Sequence, residues 1–335
     1  MSSIYDSLGR PLRDLRISVT DRCNFRCGYC MPAEIFGSGY SFLPKAEILS
    51  FEEITRVAKI FVELGVKKMR LTGGEPLLRR DLPCLVQMLA KVPALEDLAL
   101  TTNGTLLPQL AEPLAKGGLK RVTVSLDALD KDIFRRMSGD ITSPEQVTTG
   151  IETALDAGLG VKINMVVQRG MNENQILPIA EYGRNLGVTT RFIEFMDVGN
   201  HNGWVRDKVF TAREILDVLR ESFDLEPTES LYRGEVAQRF RESGNIWEVG
   251  IIASVTLPFC QDCGRVRITA DGNLYTCLFA TKGLDLKKSL RSGSSDKLLC
   301  RTISNLWSLR NDRYSESRLD GEMHQMKVEM HYVGG

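Results

Sequence analysis

The feature that most constrains the fold is a repeated alternation of short apolar runs and amphipathic helical stretches, from residue 15 to about residue 196. Such alternation is typical of βα units around a parallel sheet. It predicts strands over 15–19, 67–72, 96–102, 121–126, 160–167 and 189–195, and helices over 81–91, 107–116, 144–157 and 173–186. Another helix begins after Ser50, which forms a capping box with Glu53 ahead of an apolar stripe. Six units fall short of the eight that close a full barrel.

The pattern changes after Asp197, where the polar run Gly199-Asn200-His201-Asn202-Gly203 interrupts the alternation. One helix near 211–221 and β-rich segments around 237–252 follow. This change predicts a boundary between a βα domain, residues 1–197, and a carboxy-terminal region, residues 198–335.

Three cysteines, Cys23, Cys27 and Cys30, follow the first predicted strand directly. The carboxyl end of a parallel strand is where α/β proteins collect their ligands. A four-iron cluster normally takes four thiolates, so three leave one iron open to another molecule. A zinc site and plain buried thiols are the alternatives; zinc would need a fourth ligand close by, and no histidine precedes His201.

A second set of three cysteines is formed by Cys260, Cys263 and Cys277. It is also one thiol short of a complete set. Cys300 as a fourth ligand would make it a closed structural site, and His324 and His331 are more distant alternatives. Cys84 and Cys300 otherwise stand apart and are expected to be ordinary thiols.

Basic residues occur where a parallel sheet should be apolar. Arg265 and Arg267 lie on one face of an expected strand, and guanidinium groups suit bidentate capture of phosphate. The others within or at the start of strands are Arg16, Arg70, Lys162 and Arg191. Any one of them alone would be a solvated strand-end charge. If they converge on one cavity, they form a site for several negative charges.

Two motifs resemble those of the radical S-adenosylmethionine enzymes. The cysteine run matches their Cys-x3-Cys-x-aromatic-x-Cys pattern with Tyr29 as the aromatic residue, and Gly73-Gly74-Glu75-Pro76 matches their GGEP segment. On its own, the glycine pair would be a tight βα turn. The resemblance implies that S-adenosylmethionine binds the open iron of the first cluster. An electron from the reduced cluster then cleaves S-adenosylmethionine to methionine and a 5'-deoxyadenosyl radical. The protein positions the reactants and shields the radical.

With the second cysteine set, the whole chain resembles one branch, the molybdenum cofactor biosynthesis protein A family of GTP 3',8-cyclases. The resemblance implies an incomplete triosephosphate-isomerase-type (βα)6 barrel whose open side is covered by a carboxy-terminal iron-sulfur region. It also implies two 4Fe-4S clusters and cyclisation of GTP to (8S)-3',8-cyclo-7,8-dihydroguanosine 5'-triphosphate. That reaction is the first step of molybdenum cofactor biosynthesis. In this family, the second cluster keeps an open iron that binds guanine.

The resemblance assigns site residues by group. The first cluster would be held by Cys23, Cys27 and Cys30, and the second by Cys260, Cys263 and Cys277. S-adenosylmethionine would contact Tyr29, Gly74, Ser125 and Met196. GTP would contact Arg16, Arg70, Thr101, Lys162, Arg265 and Arg267. Catalytic roles are implied for Arg16, Arg265, Arg267, Gly334 and Gly335, the last two as a Gly-Gly tail that reaches the active site. Composition alone would make that tail a frayed terminus.

The charge balance bears on partners. The 43 basic and 43 acidic residues give no net field that would attract nucleic acid or an anionic membrane, so neither is expected as a partner. Residues 1–6 contain no apolar signal core or Arg-rich stretch, and no apolar run reaches membrane-spanning length. The sequence predicts a cytoplasmic protein whose thiols stay reduced. The resemblance implies cyclic pyranopterin monophosphate synthase as pathway successor and a flavodoxin or ferredoxin as electron donor; a homodimer stays open.

Two rival functions are weighed against the cyclase. A peptide-modifying radical enzyme with auxiliary clusters would need more cysteines than the four that lie beyond residue 250, and its substrate would not require several converging cations. A non-enzymatic electron carrier or zinc-stapled scaffold would have fully ligated metal sites. That reading leaves the GGEP segment and the three-cysteine motif unexplained.

Overall fold

One sheet runs through the protein, whose computed structural model describes residues 3–317 and 327–335; His324, named above as a distant ligand, lies outside them. Among the described residues the sheet has twelve strands. In chain order these are β1 (Asp14–Ser18), β2 (Lys68–Thr72), β3 (Asp97–Thr102), β4 (Arg121–Ser125), β5 (Gly160–Val167), β6 (Thr189–Glu194), β7 (Leu225–Thr228), β8 (Gln238–Glu242), β9 (Glu248–Ile252), β10 (Arg265–Ile268), β11 (Asn273–Tyr275) and β12 (Leu284–Asp285).

Most of the helices contribute apolar side chains to the main core beside this sheet. They are α1 (Phe51–Glu63), α2 (Leu82–Ala90), α3 (Leu107–Lys116), α4 (Lys131–Ser138), α5 (Pro144–Asp156), α6 (Ile176–Asn185), α7 (Ala212–Arg220), α8 (Leu286–Arg291), α9 (Asp296–Ser308), α10 (Tyr314–Ser317) and α11 (Met330–Val333). The predicted capping box of α1 is present, with Glu53 N–H donating to Ser50 Oγ at 3.1 Å. The six predicted strands are confirmed as β1–β6, and the predicted helices as α1, α2, α3, α5, α6 and α7. Sequence analysis missed α4 and the four helices after α7, which are α8, α9, α10 and α11.

The spatial order of the strands is β12-β11-β10-β1-β2-β3-β4-β5-β6-β9-β8-β7. From β10 to β9 all neighbours are parallel, and antiparallel strands extend the sheet at both ends. Both outer parallel strands come from beyond residue 197: β9 pairs with β6, and β10 pairs with β1. The strand order is open at both ends, which is consistent with a partial barrel. The sheet continues across the predicted boundary at residue 197, and the division into two domains stays a prediction.

The two faces of the sheet differ in chemistry because successive strand side chains point to opposite sides. In β1, Leu15 and Ile17 are at most 1% exposed and belong to the main apolar core. Arg16 between them points to the other side. Arg16 pairs in register with Arg70 of β2 and with Arg267 of β10, so three guanidinium groups share the inner face. The alternation therefore places these strand cations on the face of the sheet opposite the apolar core, which we call the inner face.

Candidate active site

One deep cavity lies on the inner face of the sheet, and most of the predicted site residues line it. Both cysteine sets do so, together with the GGEP turn after β2 and the end of the chain at Gly335. Of the residues expected to contact S-adenosylmethionine or GTP, the lining includes Tyr29, Gly74, Ser125, Met196, Arg16, Arg70, Thr101, Arg265 and Arg267. Lys162 and Gly334 do not line it directly. The structure thus gathers residues from both ends of the chain.

The first cysteine set lies in the loop that follows β1. Burial is the main reason that the pKa of each thiol is raised, to about 12 for Cys23, and Cys23 further raises the pKa values of Cys27 and Cys30. The three thiols therefore lie within electrostatic reach of one another. Arg26 steadies the loop by donating to the carbonyl of Cys23 at 2.8 Å. Clustered thiols of this kind lose their protons when a cation binds them.

These thiols fit a cluster better than a single ion. In residues 3–317 and 327–335, no three His, Cys, Asp or Glu side chains converge closely enough for one metal ion. Tetrahedral zinc draws its ligands around a single centre, whereas each thiolate of an iron-sulfur cluster binds a different iron. The soft donor set of the two cysteine triads is the set that such clusters take.

The GGEP turn packs directly on the backbone that leads to the cysteines. The amide of Gly74 donates to Thr20 O at 2.9 Å, and the amide of Glu75 donates to Arg22 O at 2.8 Å. A Cβ on Gly73 would lie 2.2 Å from Thr20 O, and one on Gly74 would lie 2.3 Å from Arg22 O. Both glycines are thus required by backbone approach within the protein.

The side chain of Glu75 stabilises the same turn through hydrogen bonds. Its carboxylate, 1% exposed, accepts hydrogen bonds from Leu77 N (3.0 Å), Thr102 Oγ1 (2.7 Å) and Asn103 N (2.7 Å). Burial raises the pKa of Glu75 to about 7 despite these bonds. Glu75 therefore ties the turn after β2 to the end of β3.

Tyr29 has a partner that sequence analysis did not name. Its hydroxyl donates to Asp127 Oδ2 at 2.8 Å, and Val166 N donates to Asp127 Oδ1 at 2.8 Å. Burial raises the pKa of Asp127 to about 6. Asp127 lines the cavity two residues after Ser125, at the carboxyl end of β4, where a position following a parallel strand could have marked it.

The second cysteine set is held by arginines. Arg265 Nε and Nη2 each lie 3.4 Å from Cys263 Sγ, and Arg310 Nη1 donates to Cys263 O at 2.6 Å. Burial opposes ionisation of Cys263, but Arg265 and Arg310 outweigh it and lower its pKa to about 6. Burial raises the pKa of Cys277 to about 12. Sequence analysis missed Arg310, which lies far along the chain with no motif around it.

Among the described residues, Cys300 finds no support as a fourth ligand of the second cysteine set. Cys300 lies on α9, where the charge of Glu63 on α1 acts on it, and it does not line the cavity. His331 lines the cavity, but it packs against the ring of Phe36 at 4.8 Å between centroids. Burial lowers the pKa of His331 to about 4, so it is neutral near pH 7.

The inner face carries a cationic cluster. Burial and the charges of Arg267 and Arg70 hold the pKa of Arg16 well below its usual value, and burial lowers those of Arg70 and Arg267 to about 9 and about 10. Within residues 3–317 and 327–335, no carboxylate forms an ion pair with these three arginines at 4.0 Å or less. Buried cations that repel one another are stabilised by a bound anion.

Lys162 belongs to the same electrostatic group although it does not line the cavity itself. Burial, together with the charges of Arg191, Arg121 and Lys68, lowers its pKa to about 7. Lys68 and Arg191 do line the cavity. Lys68 lies two residues before Arg70 on β2 and therefore on the same face of the strand, so strand periodicity could have identified it.

The carboxy-terminal tail lies against the carboxyl ends of β1 and β2, where Gly335 lines the cavity. Arg267 Nη1 donates to the carbonyl of Gly334, and Ser18 Oγ donates to the carbonyl of Tyr332 at 3.0 Å. A Cβ on Gly334, whose φ is +75°, would lie 2.4 Å from Thr72 Cγ2. Glycine is therefore needed at this position for the tail to seat.

The mainly parallel α/β sheet, the three cysteines after β1 and the GGEP turn after β2 together define a radical S-adenosylmethionine enzyme. The Radical SAM superfamily matches residues 17–183, and Molybdenum Cofactor Synthesis C matches residues 188–316. A GTP 3',8-cyclase of Staphylococcus epidermidis is 48% identical over 336 residues and covers 99% of both chains. One of Staphylococcus haemolyticus is 47% identical over 339 residues and covers 100% of both. The chain belongs to the GTP 3',8-cyclase family, and its two regions imply S-adenosylmethionine and two 4Fe-4S clusters as cofactors.

Solved structures agree on the fold. Streptococcus suis SuiB bound to S-adenosylmethionine superposes with a TM-score of 0.63 at 15% identity, over 91% of this chain and 70% of that chain. SuiB bound to its precursor peptide SuiA gives 0.62 at 15% identity, over 92% and 66%. At this identity the likeness concerns the fold alone. No helix in residues 3–317 or 327–335 is both long and apolar enough to span a bilayer.

Proposed function

We propose that this chain converts GTP to (8S)-3',8-cyclo-7,8-dihydroguanosine 5'-triphosphate, the first step of molybdenum cofactor biosynthesis. The observation that carries the proposal is the placement of a cationic cluster and two three-cysteine sets around one cavity. A nucleoside triphosphate supplies the negative charge that Arg16, Arg70 and Arg267 lack from carboxylates within the described residues.

Each cysteine set has three soft donors and would hold a cluster with one free coordination position. Cys23, Cys27 and Cys30 would hold the first cluster, and Cys260, Cys263 and Cys277 the second. When bound, the clusters and S-adenosylmethionine supply the radical that removes the ribose 3' hydrogen. The carboxy-terminal iron-sulfur region and its cover of the open barrel side are part of this proposal, as is the division near residue 197.

The chain's own residues would position GTP. Arginines at Arg16 and Arg70 bind phosphate oxygens through fixed N–H donors, and Lys162 adds a positive charge beside them. Thr101 contributes a hydroxyl from β3. Because both reacting carbons belong to one molecule, holding ribose and base in attack geometry is the main catalytic task. The inner surface of the barrel also keeps water from reactive species.

S-adenosylmethionine would lie against Tyr29, Gly74, Ser125 and Met196, which line the same cavity as the first cysteine set. Arg265 is proposed to act near guanine, because it contacts Cys263. Arg267 and the Gly334-Gly335 tail would complete the site beside Arg16. The proposal also keeps a cytoplasmic location, a flavodoxin or ferredoxin as donor, and cyclic pyranopterin monophosphate synthase as successor.

Anaerobic reconstitution with iron and sulfide, followed by reductant, S-adenosylmethionine and GTP, tests the proposal. Mass spectrometry should detect 5'-deoxyadenosine and an isomer of GTP, both dependent on GTP. A Cys27→Ser variant should form neither, whereas Cys84→Ser, at an exposed thiol outside the cavity, should match the unaltered protein. Formation of 5'-deoxyadenosine with unchanged GTP would leave the radical chemistry standing and reject the substrate assignment.

A further inference from the structure

The polar loop after β6 binds Lys327 and Glu329, at the start of the described carboxy-terminal segment. Asn200 of this loop donates from Nδ2 to the carbonyl of Lys327 at 2.6 Å and to Glu329 Oε1 at 2.8 Å. Its Oδ1 accepts from the amide of Lys327 at 2.8 Å. The backbone amide of Asn200 adds a bond to Glu329 Oε1 at 3.1 Å. One asparagine thus uses both ends of its amide on a segment that begins 127 residues away.

Neighbouring residues of the loop strengthen this contact. Lys327 Nζ lies 2.6 Å from Asp197 Oδ2, and both side chains are less than 20% exposed. Gly199 has φ +69°, and a Cβ there would lie 2.3 Å from Glu329 Oε2. The missing side chain at Gly199 therefore leaves room for the Glu329 carboxylate. We name residues 197–203 the clasp loop.

The clasp loop contacts both Met196, which lines the cavity, and Glu329, which precedes the carboxy-terminal tail. Asn202 Nδ2 donates to the carbonyl of Met196 at 3.0 Å, on the cavity side of the loop. On the tail side, Glu329 is the N-cap residue of α11, and the amides of Tyr332 and Val333 donate to its carbonyl at 3.1 and 3.2 Å. A single helical turn therefore separates Glu329 from Gly334. Fixing Glu329 fixes where Gly334 can reach.

We propose that Asn200 is a positioning residue that holds the Gly334-Gly335 tail in the cavity. It touches neither Arg267 nor the reacting groups, and it acts through Lys327 and Glu329. Its effect on turnover rests on the proposed function, whereas its effect on tail position does not. The polar run that marks the end of the βα repeat thereby acquires a role in assembling the site.

Release of carboxy-terminal residues by a carboxypeptidase measures tail opening directly. The reconstituted protein is incubated with the protease, and loss of Gly335 and Gly334 is followed by intact-protein mass spectrometry. When reclosing outpaces cleavage, the rate follows the open population. Asn200→Ala should be cleaved about 10-fold faster, because three side-chain hydrogen bonds, each modest at a surface, are lost.

A matched control is Asn245→Ala in the β8–β9 turn. Asn245 also bonds one carboxylate, Glu242 Oε2 at 2.8 Å, and one backbone amide, that of Trp247 at 3.1 Å, but it lies away from the tail. Cleavage of this variant should stay at the unaltered rate. If Asn200→Ala is cleaved no faster than the unaltered protein, or if both variants accelerate equally, the proposal is overturned.

Turnover gives a second test through non-additivity. In the full chain, Asn200→Ala should lower kcat, whereas in a chain lacking Gly334-Gly335 the same substitution should cause no further loss. An equal loss in both backgrounds would show that Asn200 acts apart from the tail and would reject the proposal. If the unaltered protein forms no product, the proposed function fails, and the cleavage assay still decides the role of Asn200.

Discussion

Replacing Gly73 by alanine should disable the site by moving the segment that leads to the cysteines. The added Cβ would lie 2.2 Å from Thr20 O and 3.2 Å from Thr20 N. Thr20 O cannot retreat freely, because it accepts the amide of Gly74 at 2.9 Å. The loop from Thr20 to Cys23 must therefore shift, with the first cysteine set.

The energetic cost has two parts. The φ of +134° at Gly73 is one that alanine rarely adopts, at a cost of about 1–3 kcal/mol. Overpacking against the backbone adds roughly 1–3 kcal/mol. For a chain of 335 residues, a total of about 4 kcal/mol lowers Tm by about 6 °C. A displacement near 1 Å should reduce turnover by about 100-fold.

Two control glycines separate these effects. Gly170→Ala has φ +73° but no atom within 4 Å of the added Cβ, so it reports backbone strain alone. Gly39→Ala has neither strain nor a close contact and should behave as the unaltered protein. Calorimetry measures Tm, and equilibrium dialysis under anaerobic conditions measures S-adenosylmethionine binding. If Gly73→Ala binds S-adenosylmethionine as tightly as Gly39→Ala, the required backbone approach is refuted.

Three further substitutions test other parts of the site. Glu75→Gln should change the pH dependence of stability. The pKa of Glu75 is about 7 in the folded protein, above its ordinary value of 4.5. As pH rises from 4.5 to about 7, ionisation of this carboxyl therefore lowers the free energy of unfolding by up to about 3 kcal/mol. Chemical denaturation from pH 5 to pH 8 should show that slope only with Glu75 present; equal slopes would contradict it. Arg16→Ala should weaken GTP binding about 10-fold to 100-fold and leave guanosine binding unchanged. The control Arg213→Ala, at an exposed arginine, should bind both ligands as the unaltered protein does. Equal losses for both ligands would exclude a phosphate contact. Cys300→Ser should retain the iron content of both sites. Loss of iron from the second site would instead show that Cys300 is its fourth ligand.

Much of the site was predictable because strand periodicity is local. A charged residue between two apolar ones, as at Arg16 between Leu15 and Ile17, must face away from the helices whichever strands are neighbours. The cysteine spacings and the two glycines of the GGEP turn are likewise readable in a few residues. Arg310 and Asp127 were missed for the opposite reason, since their importance comes from partners far along the chain.

The sequence by itself determined the βα alternation, the inner and outer faces of each strand, and the soft donor sets of both cysteine triads. These follow from local periodicity and from the chemistry of individual side chains. Only the tertiary structure decided that β10 pairs with β1, which brings Arg267 beside Arg16, and that Gly335 meets Thr72 from 263 residues away. Such pairings depend on which strand edges and backbone amides remain unsatisfied after the repeat has folded, and no local pattern encodes that.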